Sequence, residues 1–253
     1  MEDVAAIILA AGQGTRMKSD QAKVLHEIAG APMIRYVVEA ALAVVDTIVV
    51  VIGHQAEAVR KGLAPYPLLR FAVQKEQLGT GHAVMTAIPE VPESIKDVAI
   101  LCGDTPFIRP QTIRTLIDHH KAGKGYLTLV ATRLEEPLGY GRIVSGANGD
   151  VVRIVEESDA SPSQKQITTV NTGTYCMNID FLKRSLPGLN NDNAKGEFYL
   201  TDVVERAYLK GCPASLVRVR DTVEVLGVNT SEELAKAETF VQQRIRGGSR
   251  KFS

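Results

Sequence analysis

The order of elements in this sequence predicts an α/β protein: a Rossmann-like, mainly parallel sheet flanked by helices, carrying a second, mixed and partly antiparallel lobe. Two observations lead there. From residue 4 to about residue 121, short apolar runs alternate with helix-length amphipathic segments, the pattern of βαβ units. After about residue 123 the alternation gives way to strands joined by turn-rich segments, which favours antiparallel pairing.

The first run, Val4-Ala-Ala-Ile-Ile-Leu9, ends in Gly12 and Gly14, and Pro32 to Ala43 then carries apolar residues at helical spacing. That reads as strand, glycine loop, helix. Strands are expected next at 47–52, 70–74 and 97–102, with helices near 54–63, 80–88 and 110–121 between and after them. Leu127 to Thr132, Arg142 to Val144, Val151 to Val155 and Val170 to Met177 read as the strands of the second lobe. Helices near 201–210 and 231–244 flank a last strand at Ala214 to Val219. No internal repeat or low-complexity linker divides the chain, so one domain is expected over 1–245, with lobes of about 1–123 and 124–245. The polar, glycine-rich end, 246–253, is expected to be a flexible tail.

Composition narrows the function. Of 253 residues, 45% are hydrophobic and 23% charged, enough apolar material for a sizeable core. Lys plus Arg and Asp plus Glu both number 29, so no net field draws the chain to nucleic acid or an anionic membrane, and phosphate chemistry must rest on local cations. The apolar runs fall well short of the roughly 20 residues that cross a bilayer, and Glu2 and Asp3 stand where a signal peptide would be basic. Three dispersed cysteines, Cys102, Cys176 and Cys212, suggest neither a disulfide framework nor a zinc site, and fit a reducing cytoplasm.

Chemistry concentrates in Leu9-Ala-Ala-Gly-Gln-Gly-Thr-Arg-Met17, directly after the first expected strand. Its glycines let backbone N–H groups approach a phosphate chain, and Arg16 adds a planar cation for phosphate oxygens. The spacing is not that of a P-loop, and the third glycine of a dinucleotide-binding loop is missing. By residues alone an ordinary strand-to-helix turn remains equally open. Asp104 follows the apolar run Val98 to Leu101 and should sit at the carboxyl end of a parallel strand, where open α/β sheets place ligands. A carboxylate there suits Mg²⁺; a helix cap before Pro110 is the alternative, several residues too early.

Leu9 to Met17 with Ala22-Lys-Val-Leu25 resembles the signature of the sugar-phosphate nucleotidyltransferases. Gln74-Lys-Glu-Gln-Leu-Gly-Thr-Gly-His-Ala83, Gly103-Asp-Thr-Pro106, Gly139-Tyr-Gly-Arg-Ile143, Ile154-Val-Glu156, Val170-Asn-Thr-Gly173, Gly196-Glu-Phe-Tyr-Leu-Thr-Asp202 and Gly227-Val-Asn229 follow in that family's order. Together, from about residue 4 to 244, they resemble the uridyltransferase half of the bifunctional N-acetylglucosamine-1-phosphate uridyltransferases. Those bifunctional members continue into a left-handed β-helix that transfers acetyl groups, whereas this sequence stops before any hexapeptide repeat. A shortened form or a stand-alone uridyltransferase is therefore expected, without acetyl transfer. Gln21-Ala22 before the lysine and Cys102 before Gly103 depart from the common pattern.

The resemblance implies UMP transfer from UTP to N-acetylglucosamine 1-phosphate with Mg²⁺, giving UDP-N-acetylglucosamine, a nucleotide sugar of peptidoglycan synthesis. It implies phosphate and nucleotide contacts from Leu9, Ala10, Ala11, Gly12, Gly14, Arg16, Lys23 and Gly103, and uracil contacts from Gln74, Gly79 and Thr80. Gly141, Glu156 and Asn171 would hold the sugar, and Asp104 and Asn229 the metal; Arg16, Lys23 and Asp104 form the catalytic set. For Asn229, helix capping competes, and Thr230 and Ser231 could cap equally well. Glu156 and Glu157 could also be a solvated hairpin face, Cys102 a small buried apolar residue, and His82 a structural histidine rather than a base. Another sugar 1-phosphate, or a non-catalytic nucleotide-sugar sensor, are the remaining alternatives.

Overall fold

The computed structural model describes residues 1–123 and 125–246, the last three of these as helix backbone only. The expected tail lies outside the described residues, except Arg246, which closes the last helix.

In chain order, β1 (Val4–Ala10) is followed by a short hairpin, β2 (Glu27–Ile28) and β3 (Ala31–Pro32), then α1 (Met33–Leu42) and β4 (Thr47–Ile52). Next come α2 (Ala56–Gly62), β5 (Arg70–Val73), α3 (Thr80–Ala87), β6 (Asp97–Cys102), α4 (Pro110–Ala122) and β7 (Leu127–Arg133). The remainder runs β8 (Arg142–Ser145), β9 (Val151–Val155), α5 (Pro162–Lys165), β10 (Thr169–Asn178), α6 (Ile179–Ser185), α7 (Asp202–Leu209), β11 (Ser215–Arg218) and α8 (Ser231–Arg246). The expected strands and the six expected helices are found within a few residues; the hairpin, α5 and α6 are additional.

One nine-stranded sheet carries the order β11-β7-β10-β6-β1-β4-β5, with β8 and β9 extending from β10. Along that path every strand is parallel to its neighbours except β10, which is antiparallel to both β6 and β7. The antiparallel component anticipated after residue 123 is β10 with the β8–β9 hairpin, while β11 returns to parallel pairing.

Burial on both faces explains the continuous apolar runs of the central strands. In β1, Ala5 and Ile7 face a core closed by Val84 and Ala87 of α3, Phe181 and Leu182 of α6 and Val203 of α7. Val4, Ala6 and Ile8 face the opposite core, with Ile34, Val37 and Val38 of α1, Val59 of α2 and Ile113, Leu116 and Ile117 of α4. Each large aliphatic side chain withdrawn from water contributes roughly 1.5–3 kcal/mol. A third, smaller cluster joins Ile28, Met33 and Phe107 to Val228, Ala237 and Val241, and so ties α8 and the turn before it to the main body.

This topology locates the cleft. From β1 the chain steps to β4 and β5 on one side and then returns to β6 on the other. Loops leaving β1 and β6 therefore diverge at their carboxyl ends and open a crevice, the place where sheets of this kind bind ligands.

Candidate active site

The loop after β1 bends at Gly14, whose backbone has φ 67°, and a Cβ there would lie 2.5 Å from Cβ of Lys23. Glycine thus allows the segment carrying Lys23 to close against the loop. Gln55 holds that segment from below: its Oε1 accepts from Ala22 N at 3.0 Å and its Nε2 donates to the Asp20 carbonyl.

Across the crevice, Gly103 N donates to the Leu9 carbonyl at 2.9 Å, joining the two loops at the switch point. Asp104 lies two residues beyond β6, and its carbonyl accepts from Val228 N at 2.8 Å, which docks the 227–229 turn beside it. Lys23 Nζ contacts both Asp104 Oδ2 and Asn229 Oδ1, the latter at 3.0 Å, and Arg16 donates to the same Asn229 Oδ1 at 2.8 Å. Two hard oxygen donors, one anionic and one neutral, therefore converge on a single cationic centre.

Two cavities meet there. The first, of about 250 Å³, is lined by Leu9, Ala10, Ala11, Gly12, Lys23, Gln74, Gly79 and Thr80 among others. The second, of about 230 Å³, is lined by Arg16, Tyr140, Gly141, Glu156, Asn171, Thr201 and Asn229 among others. Leu9, Thr80, Cys102 and Asp104 belong to both.

At the far end of the first cavity, Gln74 is almost fully buried, and its Nε2 donates to the Gly79 carbonyl at 3.1 Å and to His82 Nδ1 at 3.0 Å. A carbonyl can only accept, so these partners fix which end of the amide is nitrogen and leave Oε1 free to accept a bond from a ligand. His82 thereby orients Gln74, in keeping with a structural role. Gly79 has φ 105°, and a Cβ there would lie 2.7 Å from the Phe198 carbonyl. That carbonyl accepts from Gly81 N at 2.7 Å, while Thr80 Oγ1 accepts from Leu200 N at 3.0 Å, so the 196–202 segment packs on the start of α3.

In the second cavity, a register shift in β10 between Asn171 and Tyr175 breaks the ladder with β7. Such irregularities re-aim side chains. Asn171 donates from Nδ2 to the Tyr175 hydroxyl at 2.7 Å, accepts at Oδ1 from Gly173 N at 3.2 Å, and its backbone N donates to the Gly141 carbonyl at 2.9 Å. Glu156 Oε1 accepts from Thr201 Oγ1 at 3.1 Å, and burial raises its carboxyl above the ordinary range. Glu157 is tied instead to Arg142 at 2.7 Å, Lys165 at 3.7 Å and Gly139 N at 3.4 Å. The solvated-hairpin alternative for the two acids does not hold, because one lines a cavity and the other anchors the loop that closes it. Burial and the nearby Asp104 charge push the Cys102 thiol up to about 12, so it stays protonated at neutral pH.

Helix capping of α8 is settled by geometry. Glu233 N donates to Thr230 Oγ1 at 3.2 Å and Thr230 N donates to Glu233 Oε2 at 3.0 Å, a capping box with Thr230 as N-cap. Asn229 is left with its amide oxygen on the cations. For α4 the residue before the helix is Arg109, so Asp104 is not its cap either.

Residues 6–161 match the model of the MobA-like NTP transferase domain. The chain belongs to the MobA-like NTP transferase family. It is 51% identical over 97% of its length to the bifunctional protein GlmU of Geobacter metallireducens, and 47% identical over 97% to that of Pelobacter propionicus. To GlmU of Desulfotalea psychrophila it is 44% identical over 95% of its length. The chain spans 52% and 54% of the first two relatives and 71% of the third. A solved structure from Bacillus anthracis, described as a candidate glucose-1-phosphate thymidylyltransferase, has the same fold: TM-score 0.75, 19% identity, over 94% of this chain and 95% of that one.

In this NTP transferase, Leu9, Ala10, Ala11, Gly12, Lys23, Gln74, Gly79, Thr80 and Asp104 surround the first cavity, and Gly141, Glu156, Asn171 and Asn229 the second. Gly14 and Gly103 shape the loops and line neither. Arg16 lies on the side of the second cavity and reaches Asn229. Gln77, Tyr140 and Thr201, which the motifs contain without an individual role, also line the cavities, as do Tyr175 and Glu233. Thr230-Ser-Glu-Glu233, a capping-box spacing, was the available signal for the last. Among the described residues no helix is long and apolar enough to cross a membrane.

Proposed function

We propose that this protein transfers UMP from UTP to N-acetylglucosamine 1-phosphate in the cytoplasm, releasing pyrophosphate, with Mg²⁺ held by Asp104 and Asn229. The observation that supports it most is the convergence of Asp104 Oδ2 and Asn229 Oδ1 on the Lys23 ammonium at the junction of two cavities. Lys23 Nζ is a stand-in cation there, and the oxygen donor set suits a hard divalent ion that otherwise keeps waters and phosphate oxygens.

In this reading the lobe of about 1–123 carries the nucleotide and 124–245 the sugar. UTP lies in the first cavity with uracil against Gln74 and Gly79, where the free Gln74 Oε1 accepts the imide N–H. The triphosphate runs along residues 9–14 toward Lys23. The sugar lies in the second cavity, with Glu156 accepting from hydroxyls and the spare Asn171 amide hydrogen donating to the acetamido group. The phosphate of the sugar, already an anion, attacks the α-phosphorus in line with the leaving pyrophosphate, so no general base is needed. Mg²⁺ held by Asp104 and Asn229 would supply neutralisation of the phosphate charge. Lys23 and Arg16 bring further positive charge to the same point, and the cleft walls supply orientation.

The assay is pyrophosphate release from UTP with Mg²⁺ and N-acetylglucosamine 1-phosphate, beside glucose 1-phosphate, glucosamine 1-phosphate and dTTP. Turnover confined to the first pair, lost in Asp104→Ala, is the expected result. Turnover with another pair would reassign the sugar or base, and a folded protein that binds UTP without turnover would establish a sensor instead.

A further inference from the structure

We infer that Glu233 is a positioning residue for the metal-donor amide of Asn229, an inference that rests on the cation-site reading above. Asn229 delivers a neutral oxygen on a short side chain, so where Oδ1 points depends on its backbone and on its amide nitrogen. Both are tethered. Nδ2 donates to the Gly227 carbonyl at 3.1 Å, which fixes the amide's orientation, and the backbone N donates to Glu233 Oε2 at 2.6 Å.

A helix cap alone does not explain the second bond. In a capping box the third helical side chain returns to the N–H of the cap residue, here Thr230, and Glu233 does so at 3.0 Å. The same oxygen also takes the N–H of the preceding residue, Asn229, and that bond is the shorter. Thr230 Oγ1 in turn accepts from Glu233 N at 3.2 Å, which fixes the position of the acid. The turn before α8 and the middle of the helix are held on the main body by Val228, Ala237 and Val241, clustered with Ile28, Met33 and Phe107. A rigid helix therefore sets the carboxylate, the carboxylate sets the Asn229 backbone, and the backbone aims Oδ1 at the point Asp104 shares.

The experiment titrates Mn²⁺ alone, followed by loss of the free-ion electron paramagnetic resonance signal, into the parent, Glu233→Ala, Glu233→Gln, Glu233→Asp and Asp104→Ala proteins, with thermal unfolding of each. Glu233→Ala and Glu233→Asp, which remove or shorten the acceptor, weaken Mn²⁺ binding roughly 10–100-fold, the effect usual for an outer-shell partner. Glu233→Gln retains an acceptor oxygen of the right reach and stays within about threefold of the parent, because glutamine also serves in capping boxes. If the alanine and aspartate variants unfold earlier yet bind Mn²⁺ as the parent does, Glu233 is a helix cap and nothing more. The aspartate variant alone decides the matter if the alanine variant does not fold. A parent that binds Mn²⁺ no better than Asp104→Ala fails differently: it overturns the cation site itself, and the inference with it.

Discussion

Replacing Lys23 by methionine keeps an unbranched side chain one atom shorter and removes the charge that Asp104 and Asn229 share. Lys23 and Asp104 have side-chain exposures of only 16% and 18%, so the carboxylate left behind is largely withdrawn from water. Breaking a fully buried pair by deleting one partner costs about 3–5 kcal/mol; the remaining exposure at this site lowers the expectation to about 2–3 kcal/mol. For a chain of this size that corresponds to a fall in Tm of about 4–12 °C in EDTA. Mg²⁺ should then act differently on the two proteins. In Lys23→Met the Asp104 carboxylate has lost its ammonium and only Arg16 still donates to Asn229 Oδ1, so an ion with millimolar affinity supplied at about ten times its Kd returns ~1.4 kcal/mol, or about 3–6 °C. In the parent the ammonium must leave first, so Mg²⁺ changes Tm far less. Differential scanning calorimetry of both proteins in EDTA and in Mg²⁺ measures this directly. A Tm gap of the same size in both conditions would refute the idea that the ammonium and the divalent ion share one site.

Three other outcomes are expected. Glu156→Gln stabilises the protein at neutral pH: burial raises the carboxyl of Glu156, so its ionisation costs stability as pH rises from the unfolded value through the raised one. The gain should vanish on acidification below about 4, where the carboxyl is protonated folded or unfolded, and a gain constant across pH in chemical denaturation would contradict it. Alkylation by iodoacetamide at pH 8, mapped by mass spectrometry, should spare Cys102, whose thiol is held near 12, and rapid modification there would show the site to be open or the thiol activated. Gly79→Ala forces a positive φ on alanine and drives its Cβ toward the Phe198 carbonyl. It should cost roughly 1–3 kcal/mol of stability and raise the KM for UTP more than it lowers kcat; an unchanged KM would remove Gly79 from the nucleotide cavity.

The parallel half of the fold is legible because its central strands, β1, β4 and β6, are buried on both faces. Val4 to Leu9, Ile48 to Ile52 and Val98 to Leu101 are therefore apolar throughout, and the helices between them have to carry a stripe. The elements that escape are those whose stability is not local. Glu27–Ile28 and Ala31–Pro32 are too short to show a period and exist because Ile28 and Met33 dock against α8. Ile179–Ser185 reads poorly as a helix in isolation, but Asn178 caps it by accepting from Phe181 N at 3.0 Å and Phe181 stacks on Tyr126. Of the site, the loop residues near 9–16 and the acid at 104 announce themselves by their place at strand ends. Tyr175 and Thr201 do not, since what aims them into the second cavity is a register shift in β10 and the packing of the 196–202 segment on α3.

Asn229 shows why residue identity stops short of function and what geometry adds. An asparagine just before a helix satisfies two descriptions, cap and metal donor, because both use the same side-chain oxygen. They exclude one another: an oxygen that accepts from the helix's first N–H groups cannot also face Asp104 across the crevice. Thr230 takes the cap, Glu233 takes the N–H of Asn229, and Gly227 takes the amide hydrogen. What remains on Asn229 is one oxygen with two cations on it, Lys23 and Arg16. The arrangement therefore commits three neighbouring groups to leaving that oxygen available, a cost in structure that a simple helix start does not require.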